Sequence, residues 1–424
     1  MVFHRFRWVF CQLEVLRNCL PQNVQRVLRE LPNSLDETYE RVLKEIGKVN
    51  PDQAYRLLQC LTVATRPLRV DELAEVLALD FDGAQEGIPT LNSDWRWDDE
   101  QQGVLSTCSS LIVVVDDESS RTRVVQFAHF SVKEFLTSDR LANAANLTAD
   151  VSRFHICLEP AHMVIAQACL AILLHSNRVE RNSPLSDYAA RHWVGHAQFE
   201  NVSLGIEDGM RRLFDPTKPH FATWLKSFNI DTVWYSFVPP PIGAYLLDHP
   251  LESISSSEAT ASLCLYYAAL CGFRDLTKLL IAEYPQHVNA RVGRNKSPLA
   301  AALSNKHIQV AELLHQHGAV LHIGYERRTL LHAVSLDGSM DVVEWLLNIG
   351  ADANVQQYDH TTPLHLAAAG GHLGVVRMLL GYGADVHVAR TMDDCTPLHN
   401  ASRGGHVDIV RLLIQNGADA STDL

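Results

Sequence analysis

Three histidines occupy positions from which an imidazole could bind a ligand. His129 lies between an apolar stretch and a predicted helix, and a His beside a helix N-terminus is well placed to meet an anion. His192 and His196 are four residues apart on another predicted helix, which is the spacing of a metal-binding pair. Because no Cys or placed carboxylate completes a ligand set beside them, we favour histidines with a structural role and predict no metal. For His129, too, a hydrogen-bonded core histidine is the favoured interpretation.

The sequence lacks the motif that holds nucleotide phosphates in P-loop proteins. That motif, G-x-x-x-x-G-K-[S/T], cradles the phosphates with backbone amides and places a Lys on them. The only Gly-Lys pair, Gly47-Lys48, is followed by Val49 and has Val42 where the first Gly should be. Residues 111–117, an apolar run that ends in two acids, resemble a magnesium-binding strand end but are better interpreted as one strand of a hairpin. We therefore predict no catalytic residue, no cofactor and no enzymatic activity.

Composition and charge place the chain among folded, acidic proteins. It is 47% apolar and 20% charged, with a formal net charge of −13. Proteins that coat nucleic acids carry a basic excess, so no nucleic-acid partner is predicted. The nine cysteines are odd in number and form no C-x-x-C pair, which indicates reduced thiols and a cytoplasmic protein. The longest apolar stretch, residues 161–174, is short and contains polar side chains, so neither a membrane span nor a secretory leader is predicted.

The elements that position these residues are clearest in the last third of the chain, where one pattern occurs five times. TPLHLAAAGGHLGVVRMLLGYGADV begins at Thr362 and TPLHNASRGGHVDIVRLLIQNGADA begins at Thr396. Equivalent leucines are separated by 34, 32, 33 and 34 residues; they are Leu265, Leu299, Leu331, Leu364 and Leu398. The period and the T-P-L-H-x-A signature are those of ankyrin repeats. The C-terminal part is therefore predicted to be a solenoid of helix pairs.

Each residue type of the repeat has a physical role. Thr caps the first helix and Pro occupies its first turn. Gly338, Gly371 and Gly405 are expected to end the first helix in a left-handed conformation. His365 and His399 are expected to tie adjacent repeats by hydrogen bonds rather than to bind a ligand. The first two repeats depart from the pattern. The second has Lys306 in place of Gly and Ala300 in place of His. The first lacks both Pro and His and is expected to pack against another domain.

The preceding 250 residues are predicted to be mostly helical, with one hairpin. Ser34 and Glu37 form a capping box that starts a helix, and residues 53–64 and 70–78 are two further helices. Residues 107–115 are predicted to be a strand and residues 123–130 its return strand. A second capping box, Ser131 to Glu134, is predicted to open the next helix. Helices followed by a hairpin and another helix indicate a winged-helix domain.

These segments resemble fungal NACHT-family proteins downstream of their nucleotide-binding core. The matching pieces are FRWVFCQLEVLRNCL, LPNSLDETYERVL, RPLRVDELAEVLALDFD, LSTCSSLIVVV and VVQFAHFSVKEFLTSDRL, and ARHWVGHAQF and KPHFATWL resemble the connector to ankyrin repeats. The resemblance implies a signal-transduction ATPase that pairs a nucleotide switch with a repeat sensor. In that family an F-x-H-x-S-x-x-E-F motif places its His on the nucleotide β-phosphate. Here it is matched by Phe127, His129, Ser131, Glu134 and Phe135, so the resemblance implies a nucleotide-sensing role for His129.

The predicted fold class is mainly α, with a helical and winged-helix NACHT-derived region followed by an ankyrin solenoid. We predict a helical segment over residues 1–65, a winged-helix domain over 66–140, a helical connector over 141–250 and about five repeats over 251–424. The linker is expected at Pro239–Pro241 and the serine-rich run after them.

The predicted function is a non-enzymatic interaction protein whose ankyrin groove binds another protein. The candidate contact residues are Arg291, Arg294, Lys296, Arg327, Arg328, Tyr358, Asp359, His360, Arg390, Asp393 and Asp394. They make the groove basic towards the connector and acidic towards the C-terminus, although loops without a partner preference are the simpler interpretation. One alternative is the distal half of an ATP/ADP-switched protein whose P-loop lies upstream. Another is a DNA-binding winged helix, which Asp71, Glu72 and Glu75 on the candidate reading helix disfavour because they repel phosphate.

Overall fold

The structure is a computed structural model that describes residues 34–48, 50–85, 87–108, 110–117, 121–143, 149–175, 183–230, 257–293, 296–321 and 329–419. The chain divides into two compact units, residues 1–213 and 214–424. The predicted fold class is confirmed, because helices dominate both units and two small sheets lie in the first. The helix predicted before residue 34, the linker and Arg294, Arg327 and Arg328 lie outside the described residues.

The first unit contains a helical domain built around two small antiparallel sheets. Its strands are β1 (Leu68–Arg69), β2 (Leu79–Gln85), β3 (Ile88–Leu91), β4 (Ile112–Asp117) and β5 (Thr122–Phe127). Its helices are α1 (Leu35–Ile46), α2 (Pro51–Val63), α3 (Val70–Leu77), α4 (Glu100–Cys108), α5 (Phe130–Leu136), α6 (Asp139–Asn143), α7 (Ala149–Ser152), α8 (Leu158–His175), α9 (Ser186–Ala197), α10 (Val202–Gly205) and α11 (Glu207–Leu213). One sheet has the order β1-β5-β4, and β2 and β3 form the other.

The winged-helix hairpin is confirmed, but the strand predicted over residues 107–115 begins too early. Thr107 and Cys108 are buried at the end of α4, and β4 starts only at Ile112. Val114 then pairs with Val125 of β5, and Leu68 of β1 lies on the other side of Val125. The buried Thr and Cys side chains face the domain core from a helix, a position that strand propensity alone does not distinguish from a strand.

The predicted capping box at Ser131 is wrong by two residues. The N-cap of α5 is His129, whose Nδ1 accepts a hydrogen bond from the Ser131 backbone N–H at 3.2 Å. The capping residue at Ser34 is confirmed, since its Oγ accepts from the Glu37 N–H at 3.1 Å at the start of α1. Imidazole replaces the usual hydroxyl in α5 because its ring nitrogen reaches the same orphan amide.

Helix α3, for which the sequence disfavoured a DNA-reading role, is enclosed by the domain, and two of its three acidic side chains are buried. Glu72 is 0% exposed and Glu75 is 3% exposed, and the flanking apolar side chains of α3 are also buried. Arg66 binds Glu72 through two hydrogen bonds of 2.8 and 2.6 Å, and Arg96 binds Glu75 at 2.9 and 2.7 Å. The two carboxylates therefore join α3 to Arg66 and Arg96 within the domain.

Helix α8 is the central helix of the first unit. It packs against α2, α9, α11 and β3, and most of its apolar side chains are buried. Within the described part of the chain it is also the one helix that is long and apolar enough to cross a membrane. A helix that is apolar on all sides is typical of a domain centre as well as of a membrane span, and the neighbours of α8 account for its composition here.

The second unit is a stack of five helix pairs, and among its described residues one further helix, α12 (His220–Ser227), precedes them. The pairs are α13 (Ser257–Leu270) and α14 (Arg274–Glu283), α15 (Pro298–Ser304) and α16 (Ile308–Gln316), α17 (Leu330–Asp337) and α18 (Met340–Asn348), α19 (Pro363–Ala369) and α20 (Leu373–Gly381), and α21 (Pro397–Arg403) and α22 (Val407–Gln415). First helices contact first helices of the next repeat between repeats 1 and 2, 3 and 4, and 4 and 5, and second helices contact second helices across the same three boundaries. This is the predicted solenoid.

Helix α12 covers the first helix pair, as the atypical sequence of that repeat predicts. Phe221 and Trp224 lie edge-on to Tyr267 of α13, with ring centroids 5.9 and 6.3 Å away. The Tyr267 hydroxyl donates to Asn229 Oδ1 at 2.8 Å. Aromatic side chains thus replace the neighbouring repeat that repeat 1 would otherwise need to bury its outer face.

Candidate protein-binding surface

The repeats are joined by histidines that bond to backbone carbonyls of the next repeat. In repeat 4, His365 Nδ1 accepts from the Thr362 N–H at 3.2 Å, and its Nε2 lies 3.1 Å from the Cys395 carbonyl oxygen in repeat 5. His332 makes the same bond to the Thr361 carbonyl at 3.0 Å. Because a backbone amide can only donate, Nδ1 is the acceptor and Nε2 carries the proton. The predicted structural role of His365 is confirmed by these contacts.

Burial keeps the His365 ring neutral. Desolvation lowers the pKa of His365 to about 4, against a smaller opposing effect of the hydrogen bond to the Cys395 carbonyl. A neutral ring is required because Nδ1 must keep its lone pair for the Thr362 amide. The joint between repeats 4 and 5 is therefore fixed at neutral pH.

The long loops of repeats 4 and 5 form fingertips, defined here as residues 357–361 and 391–395. Each closes on itself: the Gln357 N–H donates to the Thr361 carbonyl and the Arg390 N–H to the Cys395 carbonyl, both at 3.0 Å. The two fingertips are also joined, because the Thr391 N–H donates to the Asp359 carbonyl at 3.0 Å. They form one strip of fixed geometry.

The charged fingertip residues that the sequence singled out are brought together here. Asp359 accepts from the Thr361 N–H at 3.0 Å and from its hydroxyl at 2.8 Å. Partial burial opposes ionisation of Asp359, but those bonds and the nearby Arg390 charge lower its pKa. Arg390 is paired with Asp393. His360 and Asp394 follow in left-handed conformations, with φ of 62° and 49°.

The side chain that sequence reasoning missed is Met392, which is 89% exposed at the tip of repeat 5. Tyr358, which was predicted, is 69% exposed at the tip of repeat 4. Both stand four residues before the Thr of the Thr-Pro pair, so alignment of the repeats places them at one position. That alignment was the signal that would have identified Met392.

The basic candidates lie in a different part of the array. Arg291 is exposed and Lys296 is half-buried in the loop that leads into α15, where Lys296 adopts a left-handed conformation with φ of 68°. Gly293 of that loop lies against the Tyr266 ring, so close that a Cβ atom would stand 2.2 Å from it. The loop is thus fixed against repeat 1, and its two described cations do not meet the fingertips of repeats 4 and 5.

His129 lies in the first unit in a small polar cluster. The Ser131 N–H donates to His129 Nδ1, which leaves the ring proton on Nε2. Ser131 Oγ lies 2.6 Å from the same nitrogen and 2.8 Å from the Tyr39 hydroxyl, and both Ser131 and Tyr39 are buried. The ring of His129 is therefore held in one tautomer at the junction between β5 and α5.

His196, one half of the predicted pair, is a buried core histidine. Its Nδ1 lies 2.8 Å from His162 Nδ1 and its Nε2 lies 2.9 Å from the Tyr188 hydroxyl. Desolvation, followed by the charges of His162 and His192, lowers the pKa of His196 to about 3. Both ring nitrogens are thus engaged in the core, and the structural interpretation of His196 is confirmed. No group of three or more His, Cys, Asp or Glu side chains in the described residues could hold a metal ion.

Two known protein families match separate parts of the chain. Residues 265–357 and 330–423 match the family described as ankyrin repeats, and residues 39–149 match the family described as GPI inositol-deacylase, winged helix domain. The chain is therefore a winged-helix protein with a C-terminal ankyrin array.

Comparison with curated proteins gives two fungal relatives. The chain is 30% identical over 309 residues to "Azaphilone pigments biosynthesis cluster protein L" of Monascus ruber, covering 69% of this chain and 61% of that protein. It is 24% identical over 259 residues to "Vegetative incompatibility protein HET-E-1" of Podospora anserina, covering 53% of this chain and 18% of that protein. The aligned part thus spans less than two thirds of either relative. Together these matches confirm the resemblance of the chain to fungal NACHT-family proteins that carry ankyrin repeats.

Proposed function

We propose that the ankyrin array binds a protein partner and that the chain acts as the recognition part of a NACHT-type signalling protein, without bond-making chemistry of its own. The observation that carries this proposal is the array itself: His332 and His365 join repeats 3, 4 and 5, and backbone hydrogen bonds hold the loop tips of repeats 4 and 5. Ankyrin repeats are non-enzymatic interaction modules. A surface that is already ordered loses little entropy on binding, so its contacts contribute fully to affinity.

Charge along the array supports binding of a polarised partner. Residues 257–321 contain six Lys and Arg against four Asp and Glu, whereas residues 329–419 contain four Arg against ten Asp and Glu. We propose that an acidic segment of the partner docks beside Arg291 and Lys296, with Arg294, Arg327 and Arg328 as further contacts. Opposite charges at the two ends would fix the direction in which the partner lies.

We propose a cytoplasmic location for this interaction. The described cysteines are all free thiols, and six of the seven are buried. Thiols that persist unpaired are typical of a reducing compartment. Fractionation of cells that express the full chain tests the location: the protein is expected in the cytosolic fraction, and recovery in a membrane or secreted fraction would contradict it.

Affinity capture with the full chain tests the function. Arg291→Glu with Lys296→Glu should lower the capture of specific fungal proteins by about fivefold or more and weaken the dependence of capture on salt. The control is Arg274→Glu with Lys278→Glu, which reverses two exposed charges on α14, away from the loops. Equal capture by wild type and by both variants would count against the charge-directed site, and absence of any captured protein would count against the function.

A nucleotide-switched protein is the second candidate, and the geometry at His129 favours it. The tautomer fixed by Ser131 directs the N–H of the ring away from the α5 amide, as contact with a phosphate oxygen requires. The sequence contains no phosphate cradle. Under this proposal, a P-loop domain upstream would hold the nucleotide and His129 would sense it.

Labelled ADP distinguishes the two candidates. We expect the full chain alone to show no micromolar affinity for ADP. Micromolar binding that His129→Ala abolishes would instead establish a nucleotide site in this chain. An in-frame P-loop in the genomic sequence upstream of Met1 would support the second candidate in a longer polypeptide.

A further inference from the structure

We propose that Tyr358 and Met392 form a docking ridge for a partner segment that combines an aliphatic side chain with Arg or Lys. The ridge is defined by these two side chains and the carboxylates of Asp359, Asp393 and Asp394 beside them. This inference rests on the proposed function and adds to it the chemistry of a second contact, towards the C-terminal end of the array.

The apolar part of the ridge is the most exposed in the molecule. Among the described residues, Met392 and Tyr358 have the largest exposed fractions of any large hydrophobic side chain. Each is adjacent in sequence to one member of the hydrogen-bonded pair Thr391 and Asp359, so the structure places them on neighbouring fingertips. Two such side chains on one rigid strip indicate a binding site rather than scattered surface residues. Tyr offers a rigid ring and Met an adaptable thioether, and both suit an aliphatic partner side chain.

The fingertips are ordered before any partner arrives. The Asp394 N–H donates to the Arg390 carbonyl at 3.0 Å, and the Cys395 N–H donates to Asp393 Oδ1 at 3.3 Å. His365 then holds Cys395 from the preceding repeat. Because these bonds fix the backbone on both sides of Met392, binding costs little conformational entropy at the ridge.

The charge of the ridge selects a cationic partner. Asp359, Asp393 and Asp394 supply three carboxylates, and two arginines oppose them: Arg390, which pairs with Asp393, and Arg403, whose Nη2 lies 3.6 Å from Cys395 Sγ. Thr361 and the Arg390 charge favour the ionised form of Asp359, whose pKa is lowered despite partial burial. Asp394 is exposed, and residues 329–419 contain no Lys. A partner that brings Arg or Lys next to an aliphatic side chain matches both the charge and the apolar surface.

Peptide display with the full chain as target tests this inference. A library of random dodecapeptides is selected on the wild-type chain, and affinities of individual enriched peptides are then measured by fluorescence anisotropy. We expect enrichment of Arg or Lys next to Leu, Ile, Val or Met. Tyr358→Ser with Met392→Ser should weaken these peptides by about tenfold or more, as for removal of two central contact residues.

Two further variants separate the apolar and the charged parts. Val407→Ser with Ile414→Ser is the matched control, because it removes two exposed apolar side chains from α22 and should change the affinity by less than about twofold. Asp394→Asn tolerates the left-handed backbone, and it should weaken binding by about threefold and flatten its salt dependence. Asp408→Asn, an exposed acid on α22, is its control.

Each outcome decides the inference. Enrichment of acidic peptides, or affinities unchanged by Tyr358→Ser with Met392→Ser, would overturn it. If no peptide is enriched while the charge-reversal variants still change protein capture, the ridge fails and the proposed function stands. If both experiments give nothing, the proposed function fails as well.

Discussion

The two units bury polar groups in different ways. In the first unit, the buried carboxylates Glu72 and Glu75 are each paired with one arginine from outside α3, Arg66 and Arg96. In the second, His332 and His365 occupy the same repeat position and bond to equivalent backbone carbonyls. The first arrangement depends on side-chain partners that can be lost individually. The second depends on a partner that every residue supplies, which makes it repeatable along an array.

Among the variants that test this difference, removal of one buried carboxylate should lower the stability most. Glu72→Ala leaves Arg66 beside the core without its bidentate partner and removes the bond from the Arg69 N–H at 2.8 Å. Loss of one member of a buried pair costs about 3–5 kcal/mol of unfolding free energy. Urea denaturation followed by Trp193, which is buried in the first unit, measures it. Glu45→Ala, which removes an exposed pair with Lys48, should have no measurable effect; equal losses would contradict the buried-pair interpretation.

Acid should loosen the second unit through its histidines. The pKa of His365 is about 4 when folded against 6.5 for the free side chain, so between these values the unfolded chain binds more protons. Stability is therefore complete above pH 6.5 and falls as the pH is lowered towards 4, by up to about 3 kcal/mol.

Denaturation of wild type and His365→Gln between pH 7.5 and 4 measures this effect. Gln has no titrating ring, so the variant should be less stable at neutral pH but show a shallower loss in acid. The pKa of His196 in the first unit is also lowered, to about 3. Acid should therefore destabilise the first unit as well, and that unit serves as an internal reference. Identical pH slopes for variant and wild type would refute the assignment.

Substitutions at Gly338 and Lys306 test how strongly the left-handed turn after the first helix of a repeat requires glycine. Gly338 has φ of 78° and lies so close to His372 that a Cβ atom would stand 2.4 Å from the ring, so Gly338→Ala should cost about 2 kcal/mol. Lys306 has φ of 61° at the equivalent, exposed position, and Lys306→Gly should stabilise by about 1 kcal/mol. Thermal unfolding measures both, and shifts of the same sign would contradict the prediction.

The smallest effect is expected at Ser335. Among the described residues its hydroxyl is buried without a hydrogen-bond partner, and Ala368 occupies the same position one repeat later. Ser335→Ala should therefore stabilise the second unit by about 1 kcal/mol. Ser402→Ala in repeat 5, where the hydroxyl is exposed, should have no measurable effect in the same thermal scan.

Sequence periodicity predicted the second unit because each repeat encodes its own caps, turns and helix faces locally. Gly338, Gly371 and Gly405 are left-handed as expected, and residues 70–78 and 53–64 matched α3 and α2 closely. The hairpin of β2 and β3 was missed, as was α4, whose Gly103 is covered by the Trp97 ring. A glycine inside a helix argues against that helix in the sequence, and the packing of the Trp97 ring, six residues earlier, explains Gly103 only once the structure is known.

Contacts that are local in sequence could also be predicted more readily than contacts between distant segments. The charged loop residues could be predicted, since turn tips of a known repeat are exposed. The pairing of Arg96 with Glu75, and of Ser183 with the same carboxylate at 2.8 Å, could not, because segments far apart in sequence must first fold together. Exposed acids and buried acids look alike in a sequence. The burial of Glu72 and Glu75 in α3 therefore became evident only in the structure.

The histidine contacts have a consequence for how the array can change. His332 and His365 bond to carbonyl oxygens, which are present whatever the side chain on that residue. Substitution at the loop tips, such as Tyr in one repeat and Met at the same place in the next, therefore leaves the joints intact. The contacts that hold the repeats together are therefore separate from the side chains that could contact a partner. Substitutions at the loop tips can change the binding surface without changing the fold.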